Sequence, residues 1–108
     1  MKRGDVCWYS FKVPDKRRPV LILTRDSAIA VLNSVTIAPI TSTIRSIPTE
    51  VVLTEADGLP SICVANFDNL QTVPKAQIGD RIAHLTLRKM QEAASAVSFA
   101  LALDHEGA

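Results

Sequence analysis

The chain has 108 residues, 47% hydrophobic and 21% charged, enough for one core, too few for two, and too apolar for a disordered chain. No apolar run approaches the roughly 18 uncharged residues of a membrane span, and the N-terminus, MKRGDVCWYS, turns polar after two cations instead of opening a signal core. The net charge of +1 hides an asymmetry: residues 1–25 carry seven cations against two acids, and the remainder five against nine. The expectation is a single domain spanning 1–108, cytoplasmic, with a basic side suited to an anionic partner.

In chain order, GDVCWYSFKV opens as a strand, with Val6, Trp8 and Val13 as β-formers, and Trp8 is expected in the core. FKVPDKR follows as a surface loop. PVLILT is a continuous apolar run of strand length, so a central strand covered on both faces is expected. After a turn around Asn33, SVTIAPI is a third strand, and TSTIRSIP a hydroxyl-rich loop. TEVVLT gives a fourth strand, EADGLP a turn, and SICVAN and NLQTVP two more short strands flanking FD. Short strands at regular spacing argue for a small barrel or sandwich. From Thr86 the period changes: Leu87, Met90, Ala94, Val97 and Leu101 recur at helical spacing, which predicts one C-terminal helix, N-capped by Thr86, packed on the sheet by that face.

The chemistry-bearing residues are few. His84 and His105 are isolated, and Cys7 and Cys63 lack CxxC spacing, so a metal site is not expected and the cysteines are read as reduced, packed thiols. Neither a Gly-rich phosphate loop nor a GxSxG elbow is present. What remains is Arg18, held extended by the proline after it, and the hydroxyls Thr41, Ser42 and Thr43. A guanidinium is planar and permanently charged, and with a hydroxyl beside it could hold a phosphodiester and the extra charge of a phosphorane. From the residues alone, a surface charge and a turn hydroxyl are the simpler account of Arg18 and Thr41.

KRGDV, RPVLIL, APITSTIRSIPTEVVL, VANFDNLQTV and DRIAHL, in that order and over almost the whole chain, together resemble the MazF/PemK family of toxin endoribonucleases from type II toxin–antitoxin systems. The resemblance implies a mainly β protein with a C-terminal helix, a small SH3-like β-barrel of the CcdB/PemK (MazF) type, acting as a homodimer. It implies sequence-selective, ribosome-independent cleavage of single-stranded RNA without metal or cofactor, by 2′-OH attack, leaving a 2′,3′-cyclic phosphate and a 5′-OH. Arg18 then stabilises the phosphorane and Thr41 holds a phosphate oxygen. Lys16 and Arg17 position phosphate at the end of the first loop, with Ser42, Thr43 and Arg45 as further RNA contacts. Asn66, Asp68 and Asn69 fall where that family places base-reading side chains, and Trp8 and Phe11 could stack bases, although with aromatics only 5% of the chain Trp8 is read as core. A cognate antitoxin that folds along the toxin surface is the implied protein partner. The first loop lacks the glycine-rich, acidic insertion of many members, which leaves the sequence preference open. The alternatives are a CcdB-like, non-enzymatic toxin that binds a protein target such as DNA gyrase, and a plain nucleic-acid-binding barrel.

Overall fold

The structure, a computed structural model of the chain, describes residues 1–12 and 17–103. Lys16 and His105 lie outside the described residues. Seven strands form one curled sheet: β1 (Asp5–Ser10), β2 (Arg17–Ile22), β3 (Ser34–Thr41), β4 (Glu50–Leu53), β5 (Cys63–Asn66), β6 (Gln71–Pro74) and β7 (Arg81–His84). Two helices complete the order, a one-turn α1 (Asp26–Ile29) between β2 and β3 and α2 (Leu87–Leu101) at the end. The turn expected around Asn33 is therefore preceded by a short helix whose Ala28 and Ile29 are buried.

The strand order is β4-β5-β3-β2-β1-β7, with β6 also on β3, and every pairing is antiparallel. The apolar run of β2 lies near the middle, as its sequence requires: Val20, Leu21 and Ile22 are fully buried, each contributing about 1.5–3 kcal/mol by leaving water. Two prolines shape what happens next. The β2–β3 ladder ends at Val20–Pro39, one residue past Pro19, and neither proline has an N–H to donate across it. On its other edge β3 changes partner, pairing β6 through Ile37–Gln71 and β5 through Ile40–Ala65. The 3-10 turn Phe67–Asn69 crosses the gap between those two partners.

The curl divides the core between the two faces of the sheet. On one, α2 covers Val6, Leu21, Leu53, Ala65 and Phe67. On the other, Cys7, Val20, Ile22, Val35 and Ile37 pack with Ile29 and the half-buried Tyr9 and Phe11. The helix lies on the sheet by a different stripe from the one its leucines suggest. Ala93 and Ala96 are buried, Met90, Val97 and Ala100 pack against the core, and Leu87 and Leu101 are 76% and 54% exposed, with Ala94 also exposed. Alanines let the helix axis come close to the curved sheet, and leucines there would hold it off.

Candidate functional site

Arg18 is the second residue of β2 and stands opposite Tyr9 of β1. Alternation along a strand puts it on the same face as Val20, and Val20 pairs with Pro39. The guanidinium stem therefore projects over the point where the ladder to β3 has ended. A cleft of about 420 Å³ opens there, lined by Phe11, Arg18, Pro39, Asp68, Asn69 and Gln71, with the half-buried Leu70 among them. Three of the residues singled out in the sequence, Arg18, Asp68 and Asn69, are thus brought together from positions fifty residues apart. Among the described residues Arg18 makes no salt bridge.

The far wall is fixed by a small polar network. Asn66 is buried, and its Oδ1 accepts from the Asp68 backbone N–H at 2.8 Å, capping the 3-10 turn. The Thr49 hydroxyl donates to Asp68 Oδ2 at 2.6 Å, and the Phe67 N–H to the Thr49 carbonyl at 2.8 Å. Asn66 therefore positions the wall and does not line the cleft, while Asp68 and Asn69 are exposed at its rim.

Thr41, Ser42, Thr43 and Arg45 are not among the residues lining the cleft. Thr41 ends β3 two residues after Pro39, so alternation turns it to the cleft side of the strand. Its Oγ1 accepts from the Thr43 N–H at 3.2 Å, the turn contact that its sequence context equally allowed. The Arg45 and Ser46 N–H groups both donate to Glu50 Oε1, at 2.9 and 3.1 Å, and Ser46 sits in the left-handed region at φ 56°. Glu50 thereby shapes the loop that carries Arg45, and its second oxygen is buried with no hydrogen-bond partner among the described residues.

Arg17 separates from Arg18. As its neighbour on a strand it faces the other way, and its guanidinium lies 4.4 Å over the ring of Trp8. Trp8, expected in the core, is half-buried for that reason. Pro39 and Gln71 carry the cleft without having been singled out on sequence grounds, since β3's change of partner places them, whereas Phe11, one of the two aromatics read as able to stack a base, does line it.

Away from the cleft, burial pushes the thiols of Cys7 and Cys63 up, with the Asp5 carboxylate adding to the effect at Cys7 and that of Asp57 at Cys63. Both are free and buried. No three His, Cys, Asp or Glu side chains gather among the described residues. A larger groove of about 790 Å³ runs beside α2, with Leu32, Val97, Leu101 and Leu103 in its wall and Arg3 and Arg25 at its edge. It holds none of the candidate residues, and its apolar lining suits covering better than chemistry.

The cleft can place one fixed positive charge against a ring of amide and carboxylate groups and an aromatic face. Those are the parts needed to hold a single-stranded nucleic acid, phosphate on the guanidinium and base edges on the polar rim.

The described helices include none long and apolar enough to cross a membrane. A family model of PemK-like, MazF-like toxins of type II toxin–antitoxin systems matches residues 2–101. Endoribonuclease MazF3 of Mycobacterium tuberculosis (strain H37Rv) is 42% identical over 90 residues, 83% of this chain and 87% of that protein. The probable endoribonuclease MazF5 of the same organism is 35% identical over 100 residues, 92% of this chain and 91% of its own length. Among solved structures, the Mycobacterium tuberculosis toxin MazF-mt6 superposes with a TM-score of 0.85 at 38% identity, over 94% of this chain and 99% of that one. An endoribonuclease in complex with its cognate antitoxin, from a mycobacterial species, superposes with a TM-score of 0.85 at 27% identity, over 98% and 99% of the two chains.

Proposed function

The chain belongs to the PemK-like, MazF-like toxins of type II toxin–antitoxin systems, and on that premise we propose that it is an endoribonuclease whose reaction takes place at the Arg18 cleft. The endoribonuclease activity named for its relatives supports the reaction class. The observation that carries the site is the convergence of Arg18 with Asp68, Asn69 and Gln71 in one cleft at the end of the β2–β3 ladder.

The substrate is single-stranded RNA. Its 2′-OH attacks the adjacent phosphorus, the bond from phosphorus to the 5′ oxygen breaks, and a 2′,3′-cyclic phosphate and a 5′-OH remain. The proton released at the 2′ oxygen passes to water and the 5′ oxygen regains one, so no metal or cofactor enters the balance. Arg18 neutralises the additional charge of the phosphorane, which exists only as the reaction proceeds, so its effect falls on the rate more than on binding. Thr41, on the same side of β3, presents its hydroxyl to a phosphate oxygen, and Ser42, Thr43 and Arg45 extend the polar track. Asp68, Asn69 and Gln71 read base edges, which makes cleavage sequence-selective. The protein acts as a homodimer and is held silent by a cognate antitoxin; the relative solved in complex with its antitoxin supports the second partner.

The test is incubation of the purified protein with a long single-stranded RNA in excess EDTA, beside Arg18→Ala and Thr41→Ala, with fragment ends identified by mass spectrometry. The expected result is discrete cuts ending in cyclic phosphate, reduced about 10²- to 10³-fold by Arg18→Ala. Full activity in that variant removes Arg18 from the reaction. Intact RNA with a folded wild-type protein moves the reading to a toxin that acts on a protein target.

A further inference from the structure

We propose a second nucleic-acid subsite, built on Trp8 and Arg17, that stacks a nucleobase lying outside the scissile pair. It rests on the reading of the Arg18 cleft as an RNA site.

Arg17 and Arg18 are consecutive on β2 and project from opposite faces of the sheet. A strand with its phosphate at Arg18 therefore meets Arg17 only after bending round the Ser10–Arg17 end of the β1–β2 ladder. There the Arg17 guanidinium lies 4.4 Å over the indole of Trp8. Beside the pair is a pocket of about 220 Å³ lined by Trp8, Arg17, Gln77, Gly79 and Asp80 together with Tyr9 and Ser10.

The chemistry of that pocket selects a base over a phosphate. One face of the guanidinium is on the indole and Arg17 is exposed, so its other face is a planar, weakly hydrated platform of the kind on which unstacked bases lie. Gln77 supplies an amide and Asp80 a carboxylate, donor and acceptor groups for a base edge, whereas a carboxylate at the rim repels a phosphate. The mount is rigid. The Trp8 N–H donates to the Asp80 carbonyl at 3.0 Å and the Gly79 N–H to the Trp8 carbonyl at 2.8 Å, and the Tyr9 hydroxyl donates to Gln77 Oε1 at 3.4 Å. Gly79 has its place here because a Cβ would stand 3.2 Å from the Trp8 carbonyl oxygen.

Trp8 is the only tryptophan in the chain, so its fluorescence reports this pocket alone. Once the cleavage motif is mapped, the protein is titrated with a twelve-nucleotide RNA carrying a 2′-deoxy sugar at the scissile position, and with versions trimmed from each end to the bare motif. The same sequences in all-ribose form are assayed for cleavage. The expected result is quenching by the long oligonucleotide that disappears when one flank is removed. Arg17→Ala should lower the ratio of long to short affinity by about 10-fold, within the range of a base–aromatic stack, and Arg17→Lys should not restore it, since an ammonium keeps the charge and loses the plane. Trp8→Phe, which keeps the packing, should retain most of that ratio.

Cleavage with an unchanged Trp8 signal overturns the subsite and leaves the proposed activity standing. Restoration by Arg17→Lys overturns the stack in favour of a phosphate contact. A protein that neither cuts nor quenches overturns both readings, and quenching by an acidic, apolar peptide but not by RNA overturns the subsite in favour of a protein-docking surface.

Discussion

Asn66 was a candidate for reading a base and instead holds the neighbour that lines the cleft: its buried amide oxygen caps the turn at Asp68. Asn66→Ala removes a cap, which costs about 1–2 kcal/mol, and releases the rim of the cleft, so both the unfolding midpoint and kcat/KM should fall. Asn66→Asp keeps an acceptor and should recover much of the stability, a comparison read by urea titration. Gly58 answers to a different constraint. It ends a 3-10 turn at φ 96°, and an added Cβ would lie 2.8 Å from the Ala83 Cβ. Gly58→Ala should destabilise by about 1–3 kcal/mol, with an unchanged urea m-value showing that the denatured state is not the cause. The two buried thiols give a pH dependence. Their folded values are raised above the ordinary 9.0 by burial, so on alkalinisation the unfolded chain releases its thiol protons first. Stability from this source is complete below about pH 9 and declines as pH rises through the folded values. The urea midpoint measured from pH 8 upward should show that decline, and iodoacetamide should label both thiols only in denaturant.

Helix α2 shows where periodicity misleads. The spacing of Leu87, Met90, Ala94, Val97 and Leu101 located the helix and Thr86 as its cap, which accepts from the Lys89 N–H, but the buried stripe runs through Ala93 and Ala96. Hydrophobic period reports that a face exists; the distance available to the sheet decides which residues fill it. Ala93→Leu, a gain in apolarity on paper, should therefore lower stability by about 1–3 kcal/mol through overpacking, measured by thermal unfolding. Six of the seven strands were legible because their apolar runs are bounded by Pro, Gly and Asn; β7, four residues with none fully buried, finds its partner β1 only across most of the chain and gave no signal, while Arg18 was legible because a proline follows it. Pro39, Gln71 and the capping role of Asn66 were not, because they depend on β3 exchanging β6 for β5, an event between strands distant in sequence. The separation of Arg17 from Arg18 follows from strand alternation alone and could have been read from the β2 segment.

For the molecule as a whole, the cations concentrated in residues 1–25 act through counterion release. RNA affinity should fall with salt at a logarithmic slope of about −0.7 for each phosphate held by a cation, and Arg18→Ala should flatten that slope by one such increment in fluorescence-anisotropy titrations. The sheet also ties the chain's beginning to its end, with Asp5 beside His84 and Val6 beside Ala83 across β1 and β7. His84 Nδ1 lies 2.8 Å from Asp5 Oδ1, a carboxylate only 3% exposed. During synthesis, β1, β2, β3 and the Phe67–Asn69 turn all leave the ribosome before β7 and α2, so the residues of the cleft precede both the strand that pairs with the outer edge of β1 and the helix that covers Val6 and Phe67. These longest-range contacts are then the last to close. A nascent toxin is expected to pass through an interval in which its working parts are present but unclamped, and the arrival of residues 81–101 is the step that ends it.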